Sequence, residues 1–381
     1  MRFWYGLLGL LIISGAAAQS TSPEAEEAFN EVEVVEDGLG PRFNLDSCGG
    51  CHSHPSVGGS SPASNPQVAM ATAFGAQNVV PSFITKNGPI REVRFKSDSK
   101  VHALFVITGR SDIPSGANPP CTIKQEDFEQ ELQKDNVIFR IPTPLFGAGM
   151  VEGIPDAAIR DNLRANADLA AKQKLRIGGK LPSIVSGNLG RFGWKAQHSN
   201  LVDFAGEAYN VEMGITNEVS KKEIEQNEDC QYAEIPNSPE ERGVTSDVQL
   251  FAEFMRALPP PNSKAKDDSG RLIFENIGCN LCHTPELAGV QLFSDLLLHD
   301  MGDGLADGIT QNSAGPREFR SAPLWGVGRR LFLLHDGRTR DLDEAIRAHA
   351  SNGSDANDVI NNFLGLKPSD HGALLNFLRS L

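Results

Sequence analysis

Two motifs of the form Cys-x-x-Cys-His, Cys48-Gly49-Gly50-Cys51-His52 and Cys279-Asn280-Leu281-Cys282-His283, take up four of the six cysteines in this 381-residue chain. That spacing is chemically restrictive. On a helical turn, positions i, i+3 and i+4 share a face, so two thiols can form thioethers to porphyrin vinyl groups while the imidazole reaches the iron. A zinc module gathers its ligands over a short stretch, whereas these motifs lie 231 residues apart. A thioredoxin-type pair needs neither a His after its second Cys nor a second copy. The motifs predict two covalently bound c-type haems, with Cys48, Cys51, Cys279 and Cys282 as attachment points and His52 and His283 as proximal ligands.

Composition narrows the class further. With 35 basic and 49 acidic side chains, the net charge of −14 opposes binding to a phosphate backbone, so nucleic acid is set aside as a partner. No apolar run of about 18 residues exists beyond the N-terminus, so no membrane partner is expected for the mature form. Residues 1–18 read as a signal peptide: Arg2 supplies a positive start, residues 7–13 an apolar stretch, and Ala16-Ala17-Ala18 a cleavage site. The mature protein is expected in the periplasm. In that oxidising compartment the leftover Cys121 and Cys230 read first as a disulfide, with two free buried thiols as the alternative.

The chain also repeats itself. Asp268-Ser269 caps a helix running through Leu272, Ile273 and Ile277 into the second motif, and Ser369 caps a last helix ending Phe377-Leu378-Arg379-Ser380-Leu381. In the first half, Val248, Phe251, Ala252 and Met255 lead to Phe254-Met255-Arg256-Ala257-Leu258, which Pro259-Pro260-Pro261 terminates. Phe139-Arg140-Ile141-Pro142-Thr143-Pro144-Leu145-Phe146-Gly147 matches Phe319-Arg320-Ser321-Ala322-Pro323-Leu324-Trp325-Gly326, and Trp194 precedes Leu201 by the interval that separates His335 from Leu342. The predicted fold is mainly α: two cytochrome-c-like haem domains with long loops, the first enlarged by insertions containing minor β structure. The boundaries are 24–258 for the N-terminal haem domain, 259–262 for a Pro-rich linker and 263–381 for the C-terminal haem domain.

Laying Leu201 on Leu342 sets His349 opposite Ala208. Asp341 and Glu344 form a capping box, after which Leu342, Ala345, Ile346 and His349 share a helical face that can press on a porphyrin and ligate its iron. His349 is the candidate sixth ligand of the second haem, with Met301 and His299 as alternatives. Ala208 cannot ligate, so the first haem has His52 and no evident second ligand. His54 lies too close to His52 to reach the opposite face. His102 and His198 remain as loop-borne candidates, although His102 sits in an alternating stretch, 101–107, that reads as a strand.

These residues resemble the di-haem oxidoreductase (putative peroxidase) family, related to bacterial di-haem cytochrome c peroxidases and to the di-haem enzyme that matures methylamine dehydrogenase. The resemblance runs from about Gly40 to Leu381 and rests on Arg191-Phe192-Gly193-Trp194-Lys195-Ala196, Glu212-Met213-Gly214-Ile215-Thr216, Leu297-Leu298-His299-Asp300-Met301-Gly302 and Leu334-His335-Asp336-Gly337-Arg338. It implies that Trp194 lies between the haems and that Glu212 assists peroxide cleavage. His349 departs from the family's usual Met, and the distal-loop His of the peroxidases has no clear match near His54. The relatives also hold an interdomain calcium, which makes the loop of Asp300, Asp303 and Asp307 a candidate calcium site, although it lacks the Glu of an EF-hand.

The expected function is a peroxidase-like transfer of electrons from the C-terminal haem to an open N-terminal haem that reacts with peroxide, the electrons coming from a small cytochrome or cupredoxin. Two alternatives stand beside it: a high-valent haem oxidase acting on a partner protein or small molecule, and a non-catalytic electron-transfer cytochrome. The attachment chemistry has its own test. Pyridine haemochrome analysis of the exported protein should give two haems per chain, both surviving denaturation. Cys282→Ala should lose one covalent haem, and retention of two would remove the second motif from the assignment.

Overall fold

The computed structural model describes residues 22–113, 122–231, 245–261 and 268–381. Residues 1–18 lie outside it, as do Cys121 and the last residue of the expected linker. The described chain is mainly helical, with three small antiparallel sheets. Among the described residues no helix is long and apolar enough to cross a membrane.

Local chemistry sets most of the helix ends. Ser22 accepts a bond from Ala25 N and Pro23 occupies the first turn of helix Pro23–Asn30. That helix lays Phe29 against Phe254, rings stacked with centroids 4.2 Å apart, on helix Asp247–Ala257, which Ser246 caps. Val248, Phe251, Ala252 and Met255 are buried there, as their spacing predicts. Helix Leu201–Met213 starts at Asn200 and stops at Gly214, whose φ of 70° suits a residue without Cβ. A Cβ on the facing Gly40 would stand 2.4 Å from the Gly214 oxygen, so both glycines permit that close approach.

In the second half, helix Asp268–Ile277 packs on helix Pro368–Ser380 through Phe274 and Phe377, with centroids 5.7 Å apart. The expected Ser369 cap is corrected. Lys367 is the cap residue and Pro368 takes the first helical position, where its fixed φ and missing N–H carry no cost. The capping box at Asp341 is half formed. Asp341 accepts from Glu344 N at 2.9 Å, but the Glu344 carboxylate is taken by the Thr339 hydroxyl at 2.6 Å.

The expected strand over 101–107 is also corrected. Its ends belong to different sheets: Asp98–Val101 pairs with Glu92–Phe95, and Phe105–Val106 pairs with Arg42–Phe43. Between them the chain turns, and Leu104 N donates to Asn44 Oδ1 at 2.8 Å. Glu92–Phe95 is the middle strand of its sheet, with Val137–Arg140 on the other side.

Equivalent hydrogen bonds fix the register of the repeat. Leu145 N donates to Gly58 O at 2.9 Å and Leu324 N to Leu292 O at 3.0 Å. Gly147 N donates to Leu258 O at 3.0 Å and Gly326 N to Leu381 O at 2.8 Å. The helices starting at Leu201 and Leu342 are capped by Asn200 and Asp341; seven residues on, Ala208 lies within its helix, whereas His349 lies in the turn just past Arg347, where the expected helical face has already ended. The halves also clasp one another. Ile141 N donates to His335 O at 2.8 Å, and Arg320 N donates to Trp194 O at 2.9 Å. Apolar packing crosses both ways: Leu287, Leu292, Leu297 and Trp325 join the first-half core, while Leu175 and Ile177 pack on the second-half core. Cys230 is disulfide-bonded and packs with Val106 and Ile123; its expected partner, Cys121, lies outside the described residues.

A buried acid in the first half gives a test. Burial pushes the Glu33 carboxyl up to about 7, while the Tyr209 hydroxyl, donating to it at 2.8 Å, pulls the other way. The folded state therefore holds a proton that the unfolded state releases above about pH 4.5. Stability from this group is full below that pH and is lost as pH rises through about 7. Urea midpoints should fall across this window by the equivalent of roughly 3 kcal/mol, and Glu33→Gln should flatten the fall. An unchanged pH slope in the variant would show that another group governs it.

Candidate functional site

Each Cys-x-x-Cys-His motif folds as a single helical turn: His52 N donates to Cys48 O at 3.0 Å and His283 N to Cys279 O at 2.9 Å. The turn brings both sulfurs and the imidazole to one cavity wall. In the second half, one large cavity, about 1400 Å³ of empty space with its mouth included, is lined by Cys279, Cys282, His283 and His349. Its remaining walls are mostly apolar and include Phe274, Leu333, Ile346 and Leu378. In the first half, two adjoining chambers of about 720 and 540 Å³ share Cys51, His52, Phe204, Ala208 and Glu212.

The imidazoles are held alike. Nδ1 of His52, His283 and His349 bonds to the carbonyl oxygens of Gly59, Phe293 and Ala345, at 3.0, 3.0 and 2.8 Å. A carbonyl only accepts, so each Nδ1 carries the hydrogen and each Nε2 keeps its lone pair for a metal. Burial pushes His52 and His283 down to about 4, and His349 down as well, which keeps all three neutral. A neutral imidazole with a fixed tautomer, two thiols on the same turn and a broad apolar slot are what a c-type haem requires. The residues fit that group in both halves. In the second cavity His283 and His349 are both held in this way; in the first, His52 stands alone among the described histidines.

The other histidine candidates are placed elsewhere. His54 Nε2 bonds to Arg329 O at 2.9 Å. His102 stacks on Phe95, with ring centroids 3.7 Å apart, and His198 Nε2 bonds to the Glu207 carboxylate. None of the three lines the first cavity. His299 and Met301 do reach the second cavity, but both His299 nitrogens are engaged, Nδ1 by Gly178 O at 2.7 Å and Nε2 by Asp295 at 3.0 Å. The acids of the Asp-rich loop, the candidate calcium site, are engaged by cationic side chains. Asp300 and Asp303 turn to Arg317, and Asp307 turns to Arg140 and Lys195. No group of three acidic, His or Cys side chains able to hold a metal ion occurs among the described residues.

Glu212 lines both first-half chambers. Burial, reinforced by the neighbouring Glu92 carboxylate, pushes it up to about 8, and Asn44 Nδ2 donates to it at 2.8 Å. Glu92 is itself held by Arg94 Nε at 2.5 Å. Trp194 lines the first and second cavities alike. Its indole N–H donates to Ile141 O at 2.9 Å, and its ring meets His335 edge-on at 6.3 Å.

Sequence reading missed Glu92, Arg94 and Arg140, all of which line the first cavity. A signal existed. Glu92 and Arg94 alternate with Val93 and Phe95, so a strand would put both charged side chains on one face. Arg140 joins them because its strand pairs with theirs, Glu92 opposite Arg140.

A family model described as "Di-haem oxidoreductase, putative peroxidase" matches residues 102–381, which include the second motif, Trp194, Glu212 and His349 but not the first motif. The match thus begins later than the resemblance from Gly40. No curated protein matches. Among solved structures, a chain of Kuenenia stuttgartiensis hydrazine synthase pressurized with xenon is similar at 20% identity and a TM-score of 0.26, over 35% of this chain and 55% of that one. The chain thus spans about half the length of that protein, and the likeness is too slight to bear on fold or chemistry. With the family match covering well over half of its length, the chain belongs to the di-haem oxidoreductase family.

Proposed function

We propose that this protein is an exported, periplasmic di-haem c-type oxidoreductase that reduces a peroxide in its first cavity with electrons entering through the second. Each half acts as a cytochrome-c-like haem domain, with thioethers at Cys48, Cys51, Cys279 and Cys282. The observation that carries the reading is an asymmetry within the repeat: seven residues after equivalent helix starts, Ala208 lines the first cavity and His349, in the turn that ends its helix, lines the second. If His283 and His349 both hold the second haem, that site would be closed to substrate and suited to electron relay; alanine would leave room for a small ligand in the first. When bound, the haems would supply the iron and the redox equivalents for cleaving a peroxide O–O bond.

The protein supplies the proton handling. Cleavage needs a proton taken from one oxygen and returned to the other, and a carboxyl poised near neutral pH suits both steps. Glu212 fits this role: Asn44 orients it, and Glu92 keeps its affinity for a proton high. Arg94, paired with Glu92, brings positive charge to the wall where negative charge develops on the departing oxygen. Trp194 borders both cavities and offers an aromatic route for the electron. A small cytochrome or cupredoxin is the fitting donor.

Stopped-flow reduction of hydrogen peroxide tests this reading. Glu212→Gln should leave both haem spectra nearly unchanged while slowing the peroxide step by about 10²–10⁴-fold. Because the carboxylate takes the first proton, wild-type kcat/KM should rise with pH up to about 8 and level off, a limb that the Gln variant lacks. A loss below about threefold would remove Glu212 from the mechanism.

A further inference from the structure

Buried arginines in this protein have acidic partners almost wherever they occur. Arg94, Arg110, Arg140 and Arg191 are held by Glu92, Asp112, Asp307 and Asp156 at 2.5–2.7 Å. Arg320 and Arg330 break the pattern. Both line the second cavity, and neither has an acidic partner among the described residues. Arg320 spends Nε on Gly193 O at 3.2 Å and Nη1 on Ser321 O at 3.0 Å. Arg330 spends Nη2 on Pro323 O at 2.6 Å and Trp325 O at 3.3 Å. Nη2 of Arg320, and Nε and Nη1 of Arg330, have no protein acceptor there.

Two guanidinium groups lining one cavity, Arg320 buried and Arg330 half-buried with its charge acting on Arg320, are costly together unless negative charge joins them. Burial pushes each down to about 10, and Arg330 adds to the effect on Arg320. The repeat sharpens the contrast. Arg140, the first-half equivalent of Arg320, is neutralised by the protein's own Asp307. The second half leaves that position to be filled from the cavity.

The rest of the cavity says what fills it. Phe274, Leu333, Ile346 and Leu378 make the lining mostly apolar, with Asp355, Ser321 and the histidines as its other polar members, so a broad apolar group carrying acids toward the arginines fits it. We propose that Arg320 and Arg330 form a dicarboxylate site in the wall of the second cavity, and that its ligand is the pair of propionate carboxylates of the second haem. Charge-assisted bonds from a guanidinium fork are strong and directional, so the site would orient the ring as well as neutralise it. The proposal rests on haem attachment at Cys279 and Cys282 and not on the peroxide chemistry. A count of covalent haem therefore separates its failure from that of the functional reading.

The test uses the holoprotein and its bis-imidazole haem. In Arg320→Gln and Arg330→Gln, both haems should stay covalently attached. Loss of a positive charge should disfavour the reduced form of that haem by at least about tenfold, a fall of about 59 mV for one electron. The propionate-bending band in its resonance Raman spectrum should move as well. Arg330→Lys keeps the charge but not the fork, so it should hold the potential within about twofold of wild type while the band still moves. Potential and band unmoved in both Gln variants would overturn the proposal. So would a wild-type potential that shifts with inorganic phosphate at constant ionic strength, which would assign the arginines to a free anion.

Discussion

A backbone carbonyl behind each imidazole is the constraint on which the rest of this structure depends. Gly59, Phe293 and Ala345 fix the tautomers of His52, His283 and His349, and only that tautomer leaves Nε2 free toward the cavity. The carbonyls are in turn placed by the repeat. Gly59 and Phe293 follow Gly58 and Leu292, whose own carbonyls receive Leu145 N and Leu324 N. The same segments that end at Gly147 and Gly326 dock on the closing helices. Imidazole orientation and the docking of the closing helices are thus parts of one hydrogen-bonded frame, built twice.

The frame is symmetric; its contents are not. The first cavity is walled by charged groups that neutralise one another, Glu92 with Arg94 and Arg140 with Asp307. The Arg140–Asp307 pair extends to Lys195, whose ammonium lies 3.0 Å from Asp307 and 4.2 Å over the Phe319 ring. Between the cavities, the Ile141 carbonyl accepts from the Trp194 indole and the Ile141 N–H donates to the His335 backbone carbonyl, so the backbone of one residue holds both of these residues. Buried ion pairs add little net stability but penalise any rearrangement that separates them. That suits a boundary where two redox sites must keep a fixed spacing.

Much of this was legible in sequence because it is local. Cys-x-x-Cys-His needs one helical turn, and caps such as Asn200 and Asp341 act within three residues. The repeat register could be read because both halves conserve the same apolar and Phe-Arg landmarks. What was not legible depends on distant partners. Glu92 and Arg94 meet Arg140 only through strand pairing across more than forty residues, and His198 is diverted by Glu207. His102 misled because its alternating neighbours belong to two sheets. The Ser369 cap failed for a local reason: the adjacent Pro368 is a better first residue of a helix than the serine is a cap.

The central claim is that two equivalent cavities differ in what faces the proximal histidine. Low-temperature electron paramagnetic resonance of the holoprotein, with magnetic circular dichroism in both redox states, tests it directly. The account predicts one low-spin haem with two imidazole ligands and one that is high-spin, or becomes so on reduction. His349→Ala should abolish the bis-imidazole signature and leave the other haem unchanged. Two low-spin haems in every redox state, or a bis-imidazole signal that survives His349→Ala, would contradict the account.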